Sequence, residues 1–287
     1  MPSQIIQWFP GHMAKTRRLI TENLKNVDAV IELLDARIPY SSRNPEIVRL
    51  CAGKPSIILL NKSSLADPKV TKKWAEKLSN ENTVCIETDC VSGKGLSQIA
   101  PAIKKLCAAK LDRYDQKGMS GRAIKAMVVG IPNVGKSSLI NKLCGNKKAK
   151  VENRPGVTLD KQWVPTDIGI LLLDMPGVLW PKFDDPIVGE NLAITGAIKD
   201  DILDIETIAT ALCGRLRDNY PALLCERYKI SELPLREDAD DYDLLNLIGR
   251  KRGFLVSGGE VNTERTANML INEFRAAKIG AISLDNI

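Results

Sequence analysis

The chain alternates between short, wholly apolar runs and longer stretches in which apolar residues return every three or four positions. Ala29 to Leu34 is one such run, ending in Asp35-Ala36-Arg37. Ser56 to Leu60 is a second, leading straight into Asn61-Lys62-Ser63-Ser64. Val84 to Thr88 is a third, leading into Asp89-Cys90-Val91-Ser92-Gly93-Lys94-Gly95. Short runs rich in Ile, Leu and Val predict strands buried on both faces. Asp67 to Leu78 and Leu96 to Leu106 carry helical spacing. Strand, loop and helix in repeated order predict an α/β fold with a mostly parallel sheet and helices on both faces. Ala126 to Val129 predicts a further strand and Ser137 to Leu143 a helix, followed by strands over Lys161 to Thr166 and Ile168 to Leu173. Residues 108–122 lose periodicity and read as a polar connection. From about Lys182 the strand-like runs nearly vanish. Ile187, Leu192, Ile194 and Ile198, then Ile202, Ile205, Ile208 and Leu212, recur at helical spacing, and Glu264 to Ala277 predicts another helix. The expected organisation is an α/β domain over residues 1–181 and a small all-helical domain over 182–287.

The chemistry concentrates at the ends of the predicted strands. Gly130-Ile131-Pro132-Asn133-Val134-Gly135-Lys136-Ser137-Ser138 matches G-x-x-x-x-G-K-[ST], entered by a strand and left by a helix. In that setting backbone N–H groups and a helix N-terminus cradle a phosphate chain. Lys136 reaches the β- and γ-phosphates, and Ser137 offers an oxygen to Mg²⁺. The last strand delivers Asp174-Met175-Pro176-Gly177-Val178. An Asp at a strand end, then a turn and a Gly, suits a Mg²⁺-associated carboxylate beside an N–H that senses the γ-phosphate. Ligands of parallel sheets sit beyond the carboxyl ends of the strands, so Asn61, Lys62 and the Asp89-Cys90 turn belong to the same edge as the phosphate loop.

Composition narrows the class. The 287-residue chain has 44% hydrophobic and 26% charged residues, as ordinary globular proteins do. No apolar run approaches the length of a membrane span, and Met1-Pro2-Ser3-Gln4 opens no signal peptide, so no membrane partner is expected. Seven scattered cysteines without a CxxC pair suggest reduced thiols in a cytoplasmic protein. A net charge of +6 permits a nucleic-acid partner without demanding one. Arg250-Lys251-Arg252, Arg275 and Lys278 are candidates for phosphate contacts, against the blander reading of a solvated basic face. The single histidine, His12, lies in Trp8-Phe9-Pro10-Gly11-His12-Met13, a Pro-Gly-bearing segment expected to be mobile. It is either a satisfied polar residue beside a turn or a group aimed at the nucleotide.

Together these motifs resemble translation-factor-class GTPases. Gly130 to Ser138 matches the phosphate loop, and Thr158 of Arg154-Pro155-Gly156-Val157-Thr158 the switch threonine. Asp174 to Gly177 matches D-x-x-G, and Asn61-Lys62 the guanine-reading N-K-x-D. Their order is rotated, with the guanine-reading strands ahead of the phosphate loop. That order, the P-G-H-M segment, Asp35-Ala36-Arg37-Ile38-Pro39 and the helical tail are similar to the ribosome biogenesis GTPase A family, over nearly all of the chain. The resemblance implies a circularly permuted P-loop GTPase domain followed by a helical, rRNA-contacting one. It implies GTP and GDP as ligands, hydrolysis that is slow alone and stimulated by the particle, and the large (50S) ribosomal subunit precursor as partner of a monomeric chain. Asn61, Lys62 and Ser64 would meet the base, and Asp89 and Cys90 would also bind the nucleotide. Asn133, Val134, Gly135, Lys136, Ser137, Ser138, Thr158 and Gly177 would surround the phosphates. Mg²⁺ would sit at Ser137, Thr158 and Asp174, and K⁺ at Asn133. Val178 stands where many GTPases carry a water-orienting Gln, and the family assigns that role to the histidine of P-G-H-M, here His12.

One position departs from the pattern: N-K-x-D ends in Ser64 rather than Asp. Losing a charge-assisted pair to guanine should cost about 1.5–3 kcal/mol and weaken guanine selectivity, so Ser64→Asp is expected to tighten GTP and GDP. Two other classes compete with a ribosome-assembly GTPase: a P-loop kinase or ATPase acting on a small molecule, and a nucleotide-gated rRNA-binding scaffold with little hydrolysis.

Overall fold

The computed structural model describes residues 10–119, 121–145, 163–200, 204–234 and 236–287, with side chains from residue 13 onward. The sheet has six strands: β1 (Ala29–Asp35), β2 (Ser56–Asn61), β3 (Thr83–Glu87), β4 (Ile124–Gly130), β5 (Trp163–Pro165) and β6 (Ile170–Asp174). Their spatial order is β3-β2-β1-β4-β6-β5, and every pairing is parallel except that of the edge strand β5 with β6. The α/β, mostly parallel architecture read from the apolar runs is the one observed.

The apolar runs are continuous because both faces are covered. Along β4, Ala126 and Val128 join one core while Met127 and Val129 join another. The second core is roofed by α1 (Pro10–Leu24) and α2 (Pro45–Cys51), which contribute Met13, Ile20, Ile47 and Cys51. Helix α3 (Pro68–Leu78) covers β2 on that side through Trp74. The opposite face carries α4 (Ile99–Leu106), with Ile99 and Ile103 buried, and α6 (Lys136–Cys144), with Leu139 and Leu143 buried. Between these helices lies α5 (Ala108–Gln116), where the sequence predicts a polar connection. Its residues are good helix formers, but none is fully buried, so no apolar stripe announces it. Instead it is pinned to Asp28 by the Lys110 ammonium at 2.5 Å and the Tyr114 hydroxyl at 3.2 Å.

Beyond the sheet come α7 (Pro186–Ile194), α8 (Ile205–Asn219), α9 (Pro221–Tyr228), α10 (Asp241–Lys251) and α11 (Thr263–Arg275). Their buried residues belong to the same cluster as one face of the sheet, so a single core runs through both regions. The chain end returns to the sheet edge. Ile282 N–H donates to the Leu65 carbonyl at 3.1 Å and Leu284 N–H to that of Arg37 at 2.8 Å. The Asp285 carboxylate receives the Ser41 N–H at 2.7 Å and the Asn191 amide at 2.9 Å. Among the described residues no helix is long and apolar enough to cross a membrane.

Candidate functional site

Successive strands step one way from β1 through β2 to β3 and the other way from β4 to β6. A crevice therefore opens at the carboxyl edge between β1 and β4, where such sheets bind ligands. Residues at that edge are in register: Asp35 opposite Asn61, Leu33 opposite Gly130, and Val128 opposite Asp174. The phosphate loop leaves β4 there and ends in α6, whose first N–H groups have no intrahelical partners. Gly135 caps that helix at φ +108, and a Cβ there would overlap the Asn61 amide nitrogen. Both its backbone angle and its close approach require glycine.

Lys136 folds back over the loop, its ammonium donating to the Gly130 carbonyl at 3.1 Å and the Ile131 carbonyl at 2.9 Å. Burial lowers its pKa to about 8, against the opposing pull of Asp174. Burial likewise raises the Asp174 carboxyl, with Lys136 opposing. Gly177, three residues on, lies 3.1 Å, measured from an ideal Cβ, from both the Ile131 carbonyl and the Pro132 nitrogen, so the turn after β6 rests directly on the phosphate loop. Ser137 and Ser138 are exposed at the helix start. The hydroxyl of Ser137 and the carboxylate of Asp174 are hard oxygen donors that suit Mg²⁺. Asn133, at φ +57, donates its amide N–H to the Gly196 carbonyl at 2.8 Å. Its amide oxygen has no protein partner among the described residues, which suits a cation. Thr158 lies outside the described residues.

On the other side of the crevice is a cleft of about 380 Å³ lined by Asn61, Lys62, Ser64, Asp89, Cys90 and Gly135, among others. Asn61 does not stand free in it. Its amide donates to the Val134 carbonyl at 2.8 Å and accepts from Cys90 N–H at 3.0 Å, stapling the phosphate loop to the turn after β3. Lys62 adopts a left-handed φ of 61° and pairs with Asp35 at 2.9 Å. Ser64 donates its hydroxyl to the Asp89 carboxylate. Asp67 is committed elsewhere, capping α3 through Lys69 N–H at 2.8 Å.

Residues 10–12 form the first turn of α1, so Pro10 and Gly11 start a helix. The His12 side chain lies outside what the structure describes. Its neighbour Met13 is buried in the cluster that contains Val178. Asn44 donates to the Val178 carbonyl at 3.3 Å and caps α2 through Glu46 N–H at 3.0 Å. Val178 is 3% exposed, facing the core rather than a water. Two of the basic candidates are committed inside the protein: Arg275 pairs with Asp200 at 2.8 Å and Arg252 with Glu273 at 3.3 Å. Arg250, Lys251 and Lys278 are exposed.

Two residues at the carboxyl end of β1 carry more weight than their sequence motif indicates. Asp35 accepts from the Arg37 guanidinium at 2.9 and 2.8 Å as well as from Lys62. Burial works to raise its pKa, but the two cations outweigh it and hold the carboxyl far below the usual range. Arg37 also lies 5.4 Å from the Phe274 ring of α11. The sequence shows the pair as an acid ending an apolar strand with a base two residues later, within the Asp35–Pro39 motif, but not its burial.

Comparison with known proteins agrees with this geometry. Residues 125–213 match a family model described as a 50S ribosome-binding GTPase. The chain is 48% identical to ribosome biogenesis GTPase A of Bacillus licheniformis over 281 residues, 98% of each chain. The chain belongs to the ribosome biogenesis GTPase A family. Its likeness extends to the mitochondrial ribosome-associated GTPase 1 of Mus musculus, at 34% identity over 98% of this chain and 90% of that one. Among solved structures, a GDP-bound YlqF matches with TM-score 0.62 at 25% identity, covering 94% of this chain and 99% of that one. The GNP-bound YlqF from T. maritima matches with TM-score 0.60 at 26% identity, covering 95% and 98%. Like the family, this member is a GTPase, with strands β1–β3 preceding β4, the strand that leads into the Gly130–Ser138 loop.

Proposed function

We propose that the chain is a Mg²⁺-dependent GTPase that assembles the large ribosomal subunit, slow in isolation and accelerated by the pre-subunit particle. The observation that carries this reading is the sheet edge itself, which brings the phosphate loop, the Asp174–Gly177 turn and the Asn61–Asp89 cleft together. Backbone N–H groups of Asn133 to Ser138 and the N-terminus of α6 hold the phosphates, and Lys136 turns from its two carbonyls to the β- and γ-oxygens. Ser137, Asp174 and Thr158 would hold Mg²⁺, and Asn133 a K⁺. These ions supply neutralisation of phosphate charge when bound. Asn61, Lys62, Ser64, Asp89 and Cys90 enclose the base.

Val178 presents no group that can place the attacking water, and positioning is most of what phosphoryl transfer asks of a protein. Helix α1 packs beside the Val178 turn through Met13, so His12 one residue earlier is assigned that task. A neutral imidazole hydrogen-bonds water at physiological pH. We assign the helices of residues 182–287 to rRNA contact through Arg250, Lys251 and Lys278. The chain acts as a cytoplasmic monomer without a membrane partner. Buried Val178 favours one second reading, a nucleotide-gated rRNA-binding scaffold with little hydrolysis.

Single-turnover GTP hydrolysis with and without large subunits, in K⁺ and in Na⁺, separates the two. The expected result is stimulation by the particle, greater in K⁺. His12→Ala should keep nucleotide and subunit binding yet lose about 10²-fold of the stimulated rate, with less effect on the basal rate. Full stimulation of that variant would assign the catalytic group to the ribosome. No stimulation of the unaltered chain would favour the scaffold.

A further inference from the structure

The cleft poses a chemical problem. Guanine presents two adjacent donors, N1–H and the exocyclic amine, and a negatively charged acceptor complements them best. Adenine presents an acceptor, N1, where guanine presents N1–H, so a carboxylate there repels it. Ser64, at the place where N-K-x-D carries its acid, has a hydroxyl that is already donated to Asp89. Among the described residues lining the cleft, Asp89 is the one carboxylate.

We propose that Asp89 and Ser64 divide guanine reading between them: Asp89 supplies the carboxylate that faces the base, and the Ser64 hydroxyl holds that carboxylate in place. This rests on the cleft being the guanine site. Asp89 Oδ1 is fixed by Val91 N–H at 2.8 Å and Ser92 N–H at 3.0 Å, and Oδ2 by the Ser64 hydroxyl. The Ser64 N–H adds a fourth donor, so guanine's N1–H and amine would share acceptor positions with these groups and draw on the full negative charge of the carboxylate. Burial alone would raise this carboxyl, but the Ser64 hydroxyl and the Ser92 and Val91 N–H groups outweigh it and keep the group ionised. The turn that bears Asp89 is itself stapled to the phosphate loop through Asn61. Base and phosphate recognition are therefore built into one rigid unit. Ser64 is a positioning residue, and the sequence expectation that Ser64→Asp tightens GTP is reversed: a second acid would face Asp89 across a hydrogen-bond distance.

The opposing possibility is that Asp89 only shapes its turn. Asp89→Asn distinguishes the two, because an amide oxygen still accepts from Val91 and Ser92. Competition of GDP, ADP and XDP against a fluorescent nucleotide is measured on the full chain, with thermal melts confirming that each variant folds. The unaltered chain should prefer GDP. Asp89→Asn should weaken GDP by about 30-fold or more and gain XDP, whose C2 carbonyl accepts from the amide, a shift within the range of one charge-assisted contact. Ser64→Asp alone should weaken GDP, and the exchange Ser64→Asp with Asp89→Ser should restore it to within about threefold. Unchanged GDP affinity without XDP gain in Asp89→Asn, or tighter GDP in Ser64→Asp, would overturn the proposal while leaving the guanine site standing. An unaltered chain that binds ADP as well as GDP would remove the guanine site itself.

Discussion

Lys136→Ala should abolish tight binding of GTP·Mg²⁺. In the free protein this ammonium is held by two loop carbonyls at 3.1 and 2.9 Å, and in the proposed nucleotide complex it would exchange them for phosphate oxygens. Charge-assisted hydrogen bonds are worth about 1.5–3 kcal/mol each. Losing two of them predicts roughly 10²- to 10⁴-fold weaker binding, readable by titration calorimetry. Ser137→Ala should show its loss chiefly when Mg²⁺ is present. The same lysine gives a pH signature. Burial holds it near a pKa of about 8 in the free state, and a polyphosphate favours its charged form. Binding above that pH must therefore take up a proton, so affinity falls as pH rises through about 8 and is flat below it. The variant should lack this slope. Unchanged affinity in Lys136→Ala would remove the phosphate assignment.

Arg37→Ala should be the most destabilising single change in the chain outside the apolar core. Its guanidinium is 2% exposed, pairs twice with a buried Asp35 and lies against Phe274. Removing it leaves buried Asp35 with Lys62 as its remaining cation and the residue-37 N–H as a neutral donor, and breaking a buried pair costs about 3–5 kcal/mol. Calorimetry should show the melting temperature dropping by roughly 10 °C. The sign with pH follows from the depressed carboxyl. Stability from this pair is fully present above the ordinary Asp pKa of about 4 and is lost as pH falls below it. Arg37→Ala should flatten the acid limb of the stability curve. A variant as stable as the parent at pH 7 would show that Asp35 finds its compensation in Lys62.

The sheet was legible because buried parallel strands are written as unbroken apolar runs, and β1, β2 and β4 begin and end within two residues of the runs that predict them. The edge contacts were legible too, since loops at the carboxyl ends of such strands share one face. Helix α5 was not, because it is held by Asp28 rather than by an apolar stripe. Nor was the task of Asn61, whose side chain bonds Val134 and Cys90, residues 73 and 29 positions away. The link between Ser64 and Asp89 spans 25 residues and is set by the pairing of β2 with β3, so only the folded chain brings hydroxyl and carboxylate together. The Asp35–Arg37 pair was visible as a motif, but its burial against α11 depends on how the helical region packs.

Nucleotide-dependent association with the large ribosomal subunit is the decisive measurement for a GTP-switched assembly factor. The full chain is mixed with large-subunit particles and Mg²⁺ in the presence of a non-hydrolysable GTP analogue, GDP, or the corresponding ATP analogue, and the bound fraction is read by co-sedimentation. Retention with the GTP analogue, release with GDP, and no retention beyond background with the ATP analogue are expected. Equal association under all three conditions, or retention driven by the ATP analogue, would contradict that role.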